Sequence, residues 1–176
     1  LVVMRSLLFR RFLVSLPFVN YGGILADDDE GERALLTSAQ RVAAEEGAEF
    51  IELRHVVPHG HGLRAKRHKV TLILDLEKNA ETQWKTFDPK VRNQIRKAEK
   101  SALWVQSGGA EFLDDFYAVF ARNMRDLGTP VYGKRFFQAI VTQFPSSTRV
   151  FVVRLREHAV AAGLACMFKD TIEMPW

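Results

Sequence analysis

Five polar side chains of types that can hold a ligand lie close together in the chain: Asn123, Arg125, Asp126, Thr129 and Tyr132. The amide and the phenol offer neutral hydrogen bonds, and the guanidinium offers a fixed positive charge. We predict that Asn123, Arg125 and Thr129 bind substrate and that Tyr132 is catalytic. The alternative is a helix cap followed by a tight turn, in which Arg125 and Asp126 pair only with each other.

Two predicted helices position this polar segment. Apolar residues recur every three or four positions over residues 112–127 and again over residues 134–144, as amphipathic helices require. Gly128 and Pro130 predict the end of the first helix, because glycine accepts the left-handed conformation and proline cannot continue a helix. The polar segment therefore belongs to a junction between two helices.

Glu173 is the second candidate catalytic residue. It lies in a predicted strand that starts at Thr171, and a carboxylate there could accept the proton of an attacking amine or hydroxyl. An exposed strand carboxylate without a chemical role is the alternative.

Residues 89–101 predict a basic helix that carries five Lys and Arg side chains and only one acidic residue, Glu99. We predict that Arg92, Arg96 and Lys97 bind substrate phosphates, since guanidinium groups match phosphate oxygens. Candidate ligands are a nucleotide-sugar pyrophosphate, a lipid-linked pyrophosphate and the tRNA backbone. A solvated helix face is the alternative.

Two further groups of residues are candidate sites. Asn20 and Tyr21 precede a double glycine and could line a substrate cleft, with a simple turn as the equal alternative. Four histidines share a basic loop or its flanks: His55, His59, His61 and His68. They lack a cysteine or carboxylate partner at ligand spacing, so we predict no metal site.

Composition sets broad limits. The chain has 176 residues, 47% of them hydrophobic, which is enough for a real core. A net charge of +4 suits an anionic substrate but decides nothing alone. The single cysteine, Cys166, excludes an internal disulfide framework, and its place on an alternating strand predicts a small buried hydrophobe.

The N-terminal residues are apolar but do not predict a membrane span. Arg5, Arg10 and Arg11 interrupt the run, so residues 7–18 predict short strands joined near Arg10. We expect no integral membrane segment and a cytoplasmic location, with the inner membrane face as a variant. Both ends resemble cuts through a larger protein, and we expect the fragment alone to be inactive and marginally stable.

The predicted element order is mixed α/β, of the α+β class: β-β-α-β, then β-α-β-α-α-β-β-β. The other helix in this order spans about residues 32–46, with Ala34, Leu35, Ala39, Val42 and Ala43 inward. The remaining strands cover residues 50–53, 70–76, 103–106, 149–155 and 160–168.

Four segments resemble one known family: residues 17–23, 90–100, 116–132 and 172–176. They are similar to FemAB-like proteins and, more narrowly, to the branch associated with PEP-CTERM and exosortase systems. The resemblance implies two acyltransferase domains of the GNAT type in tandem. Residues 1–68 would be the C-terminal part of the first, and residues 69–176 the N-terminal part of the second.

The resemblance also implies an activity. It suggests an acyl- or aminoacyltransferase acting on a cell-envelope glycan or peptidoglycan precursor, linked to exopolysaccharide systems. No bound cofactor is expected; aminoacyl-tRNA or acyl-CoA would be the co-substrate, and a phosphate-bearing glycan or lipid-linked precursor the acceptor, with tRNA as a partner. The alternative is a noncatalytic polysaccharide- or nucleic-acid-binding module that uses the basic helix 89–101 together with Trp84, Trp104 and Trp176.

Overall fold

The computed structural model describes residues 1–6, 10–57, 62–66 and 70–176. The chain divides into two compact units, Leu1–Leu72 and Ile73–Trp176, and each has its own sheet. Part of the first predicted strand, residues 7–9, and the histidines at 59, 61 and 68 lie outside the described residues. The fold is mixed α and β, in agreement with the predicted class.

The first unit holds a three-stranded sheet and one long helix. Strands β1 (Val2–Ser6) and β2 (Arg10–Val14) are antiparallel, and β3 (Ile51–Glu52) pairs parallel to β2. Helix α1 (Asp29–Glu45) connects β2 to β3, as a parallel pair requires.

Helix α1 begins earlier than predicted because Asp28 caps it. The Asp28 carboxylate accepts a hydrogen bond from the Gly31 backbone N–H at 2.7 Å, and three acidic residues favour the first turn. Ala39 and Ala43 are buried, whereas the predicted inward residues Ala34 and Leu35 are exposed.

The prediction for the N-terminal strands was partly wrong. Arg10 and Arg11 lie inside β2, opposite Ser6 and Arg5 of β1, and do not form a turn. Residues 15–20 are turns and bends instead of a strand. Two charged residues fit the strand because their side chains are exposed at this part of the sheet.

The second unit is a four-stranded antiparallel sheet with helices. Its helices are α2 (Ala80–Thr86), α3 (Pro89–Glu99), α4 (Leu113–Asp126) and α5 (Lys134–Gln143). Its strands are β4 (Leu103–Gly108), β5 (Thr148–Leu155), β6 (His158–Phe168) and β7 (Thr171–Glu173), which pair in this order.

The predicted strand at residues 70–76 was wrong, and α2 was missed. Val70, Leu72 and Ile73 are between 83% and 93% exposed, and no described strand pairs with them. β-branched and aliphatic residues favour a strand only where their side chains can pack against a neighbouring strand or layer. Asn79 starts α2 immediately afterwards, where its side chain accepts a hydrogen bond from the Thr82 backbone N–H at 2.9 Å.

One apolar core joins α4 and α5 to the sheet. Its buried members are Leu113, Phe116, Phe120, Phe137, Val141, Val150, Val152 and Leu164. Phe116 and Phe137 pack edge to face with ring centroids 5.1 Å apart. Each fully buried side chain of this size contributes roughly 1.5–3 kcal/mol, so the core fixes α4 firmly against the strands.

Candidate functional site

A groove of about 360 Å³ lies in the second unit between α4, the first half of β6 and Trp176. Its floor is apolar and consists of Phe116, Val119, Phe120, Val160, Ala161 and Ala162. Its rim is polar at one side, where α4 presents Arg122, Asn123 and Asp126. An apolar floor with a few convergent polar groups is the usual character of a small-molecule site.

The helical period of α4 places this rim. Phe116 and Phe120 point into the core, so the last turn of the helix brings Asn123 to the groove and leaves its polar atoms at the surface. The side chains of Arg122 and Asn123 make no hydrogen bond or ion pair within the described parts of the chain.

Gly128 ends α4 as predicted. Its φ is +67°, and its backbone N–H donates to the Arg125 carbonyl at 3.0 Å. The Thr129 N–H donates to the Met124 carbonyl at 2.9 Å, which completes the cap. The Thr129 side chain is exposed and does not line the groove.

Arg125 pairs with the neighbouring aspartate. Its Nε and Nη2 atoms both donate to Asp126 Oδ1, at 3.2 and 3.1 Å, and both side chains are exposed. The local pairing considered from the sequence is therefore present. Arg125 does not line the groove, whereas Asp126 does.

Tyr132 lies in an aromatic cluster and not on the groove surface. Its ring centroid is 5.8 Å from that of Phe120 and 6.4 Å from that of Phe137, and the ring is half-buried. Its backbone carbonyl accepts a hydrogen bond from the Tyr117 hydroxyl at 3.0 Å. The structure thus gives Tyr132 a packing role.

Trp176 closes the groove and was not among the predicted catalytic or substrate-binding residues of the enzyme. Its ring packs edge-on against Phe136 and Phe137, with centroids 5.4 Å away in both pairs. Its carbonyl accepts a hydrogen bond from the Leu164 N–H at 2.9 Å. A Cβ at Gly163 would meet only the flexible end of the Met174 side chain, at 2.5 Å, and would lie 3.5 Å from the Trp176 carbonyl oxygen, so this approach does not require glycine and no local sequence signal marks Trp176.

Glu173 ends β7 and lies opposite Cys166 in the ladder, so both side chains project to the same face of the sheet. Burial, and then the negative charge of Glu173, raise the pKa of the Cys166 thiol above its ordinary value. Cys166 packs against the apolar core as a half-buried side chain. Glu173 is half-buried and does not line the groove.

A polar network beside α4 was not found from the sequence. Arg154 donates to Gln106 Oε1 at 2.7 Å, to the Glu157 carbonyl at 3.1 Å and to the carboxylate of Asp115. These bonds tie β4, β5 and α4 together. Asp115 and Arg154 are 39 residues apart in the sequence and meet only in the folded chain, so no local motif predicts their ion pair.

The predicted phosphate-binding residues lie on α3, apart from the groove lining. Arg92 is half-buried, and Arg96 and Lys97 are exposed. The Arg96 guanidinium stacks over the Trp84 ring at 5.4 Å from its centroid. Within the described residues, no carboxylate pairs with these three cations.

The remaining candidates belong to the first unit. The Tyr21 hydroxyl hydrogen-bonds the Thr71 hydroxyl, and Asn20 lies in a bend. His55 Nε2 accepts a hydrogen bond from the Ile24 N–H at 2.9 Å, which is a structural role. Across residues 1–6, 10–57, 62–66 and 70–176, no group of three or more His, Cys, Asp or Glu side chains is arranged to hold a metal.

A second recess, of about 560 Å³, lies in the first unit beside Arg5, Arg10 and Arg11. Arg5 pairs with Glu46 at 3.5 Å, and Arg10 pairs with Glu49 at 2.8 Å. Arg11 donates to the Glu46 carbonyl at 3.1 Å. Because these cations already have partners, the groove beside α4 is the better candidate site.

Comparisons with known proteins identify one related family. A family model described as the FemAB family matches residues 58–165, which include α2 to α5 and most of β6. A search of curated proteins finds no match. In the part of the chain that the structure describes, every helix is too short or too polar to cross a membrane.

Proposed function

Since the chain belongs to the FemAB family, whose members are aminoacyltransferases, we propose that it transfers an acyl or aminoacyl group to a peptidoglycan or other cell-envelope precursor. The donor is aminoacyl-tRNA or acyl-CoA, used as a co-substrate. The acceptor carries an amine or hydroxyl on a phosphate-bearing glycan or lipid-linked precursor. A role in PEP-CTERM and exopolysaccharide systems is part of the proposal and rests on the residue resemblance alone.

The observation that carries the proposal is the groove at the end of α4, which lies mostly within the residues matched by the family model. It combines an apolar floor with unpaired Arg122 and Asn123 side chains at its rim. Acyl transfer depends mainly on holding the amine and the activated carbonyl in register and on donors for the developing oxyanion. Asn123 can supply such a donor.

The reaction requires proton transfer as well as positioning. The acceptor nitrogen or oxygen forms a bond to the donor carbonyl carbon, the ester or thioester bond breaks, and a base removes the acceptor proton. Glu173 is the proposed base, and the Tyr132 hydroxyl is the proposed proton donor to the leaving group. Neither residue lines the groove, so both roles rest on the chemistry of a carboxylate and a phenol and not on the groove geometry.

Substrate phosphates would be held by α3. Arg92, Arg96 and Lys97 have no carboxylate partner among the described residues, so their charge is available to a ligand. Asn20, Tyr21, Arg125 and Thr129 remain proposed substrate contacts. In the proposed domain arrangement, residues 1–68 are the C-terminal part of a first GNAT-type domain and residues 69–176 are the N-terminal part of a second.

Label transfer tests the proposal. Purified intact protein is incubated with tRNA that carries a radiolabelled amino acid, or with labelled acyl-CoA, and with a nucleotide-linked or lipid-linked muropeptide. We expect label to pass to the muropeptide from one donor class. Donor consumption without labelled muropeptide would contradict acyl transfer to this acceptor.

A noncatalytic nucleic-acid-binding module is the second candidate, and the unpaired basic face of α3 favours it. Such binding would weaken steeply with rising salt, because phosphate contacts release counterions. RNA binding with that salt dependence and without label transfer would favour the module over the enzyme.

A further inference from the structure

We infer that the groove beside α4 binds the aminoacyl group of an apolar amino acid, with its ammonium group toward Asp126. This inference rests on the proposed function, which leaves the identity of the transferred group open. It follows from the chemistry of the floor, the rim and the helix end.

The floor selects an apolar side chain. Val119 and Val160 supply most of the exposed apolar surface of the floor, Ala162 continues it on β6, and Phe116 and Phe120 lie beneath it at no more than 8% exposure. Trp176 also lines the groove. A polar or charged side chain would lose its water there without a partner, which is costly, whereas an aliphatic one gains by leaving water.

The rim matches the two polar ends of an aminoacyl group. Asp126 is bonded to Arg125 through Oδ1 alone, so its Oδ2 atom is open to an ammonium group within the described residues. Asn123 and Arg122 can donate to the carbonyl oxygen. The C-terminal end of α4 also favours a positive charge, because the helix dipole is negative there.

The size of the groove fits this ligand. A volume of about 360 Å³ exceeds that of one amino acid and falls in the lower part of the range for small-molecule sites. The groove therefore has room for the aminoacyl group and the start of its ester-linked carrier. An ester-linked carrier can leave the groove at the open, polar side, where Arg122 and Asn123 lie.

Calorimetric titration with amino acid amides tests the inference without tRNA or acceptor. The amide carbonyl of L-leucinamide stands in for the ester carbonyl of the donor. We expect L-leucinamide to bind about tenfold more tightly than L-serinamide, which lacks the apolar side chain, and than 4-methylpentanamide, which lacks the ammonium. Equal affinity for all three amides would overturn the inference.

Three variants locate the binding. Asp126→Asn should remove the preference for L-leucinamide over 4-methylpentanamide, and Val160→Asn should weaken the binding of both by placing a polar group in the floor. Asp27→Asn, an exposed carboxylate in the first unit, is the control and should change neither. If Asp126→Asn retains the full preference, the ammonium site is elsewhere and the inference is wrong.

The amide titration separates this inference from the proposed transferase activity. Label transfer without selective amide binding would overturn the inference alone. Selective amide binding without label transfer would leave the groove assignment standing and contradict the enzyme.

Discussion

Asn123 and Tyr132 come from one short polar segment but have different surroundings. The Asn123 side chain lines the groove and has no hydrogen-bond or ion-pair partner among the described residues, whereas the Tyr132 ring packs on Phe120 and Phe137. The polar groups at this helix junction could be predicted because residue types are read directly from the sequence. The sequence could not show that Asn123 lines the groove while Tyr132 joins the aromatic cluster, because that difference depends on how α5 packs on α4.

Asn123→Ala and Tyr132→Phe should each lower turnover and change the melting temperature little. The first removes a groove hydrogen bond, and the second keeps the aromatic ring but removes its hydroxyl. A loss of about tenfold or more in kcat/KM is expected for each. Gln138→Ala, an exposed amide on α5, is the matched control. Lower stability with full activity per folded molecule would make both residues structural.

Gly128→Ala should act on stability instead. Its φ of +67° is unfavourable for a residue with a Cβ, although a Cβ there would meet no atom within 4 Å. We expect a loss of about 1 kcal/mol in the free energy of unfolding from backbone strain alone. Urea unfolding measures it, with Gly128→Asn as the comparison, because asparagine adopts the left-handed conformation more readily than alanine and should lose less stability. Equal effects of the two substitutions would contradict this explanation.

At the scale of elements, helices marked by local sequence signals were predicted correctly, whereas a strand that depends on a distant pairing partner was not. Asp88 and Pro89 marked the start of α3, and the period of apolar residues marked α4 and α5. The strand predicted at residues 70–76 failed because strand formation depends on a pairing partner, which composition does not report.

The α3 face gives a prediction about affinity. Arg92→Gln with Arg96→Gln should raise the dissociation constant for a nucleotide-linked precursor by about tenfold or more, because two charged donors to phosphate are lost. Arg135→Gln with Arg149→Gln changes the net charge equally at exposed positions of the second unit and is the control. Unchanged precursor affinity in the α3 variant would refute phosphate binding there.

The Arg154 network gives a prediction about stability. Arg154→Met should lower the free energy of unfolding by about 2 kcal/mol, since Gln106 and Asp115 lose a charged partner. The expected loss in the free energy of unfolding is modest because the Asp115 side chain is 34% exposed and water replaces part of the interaction. Arg149→Met, on an exposed position of the same strand, should change stability by less than about 0.5 kcal/mol. Equal losses in chemical denaturation would contradict a specific role for Arg154.

At the scale of the whole molecule, the chain holds two compact units, and the FemAB family match falls mostly on the second. The groove, the aromatic cluster and α3 all belong to that unit, while Asn20 and Tyr21 belong to the first. The family could be recognised from the sequence because its motifs are short, contiguous segments. Trp176 was not predicted as a substrate-binding residue because only the pairing of the last residues with β6 brings it to the groove.

The mass of the acceptor after incubation tests the central claim most directly. The protein is mixed with aminoacyl-tRNA and a nucleotide-linked or lipid-linked muropeptide, and the muropeptide is analysed by mass spectrometry. Acyl transfer predicts a muropeptide heavier by one aminoacyl residue, a product that Asn123→Ala forms more slowly. An unmodified muropeptide with every donor tested, from protein that is folded and binds the precursor, would contradict the account.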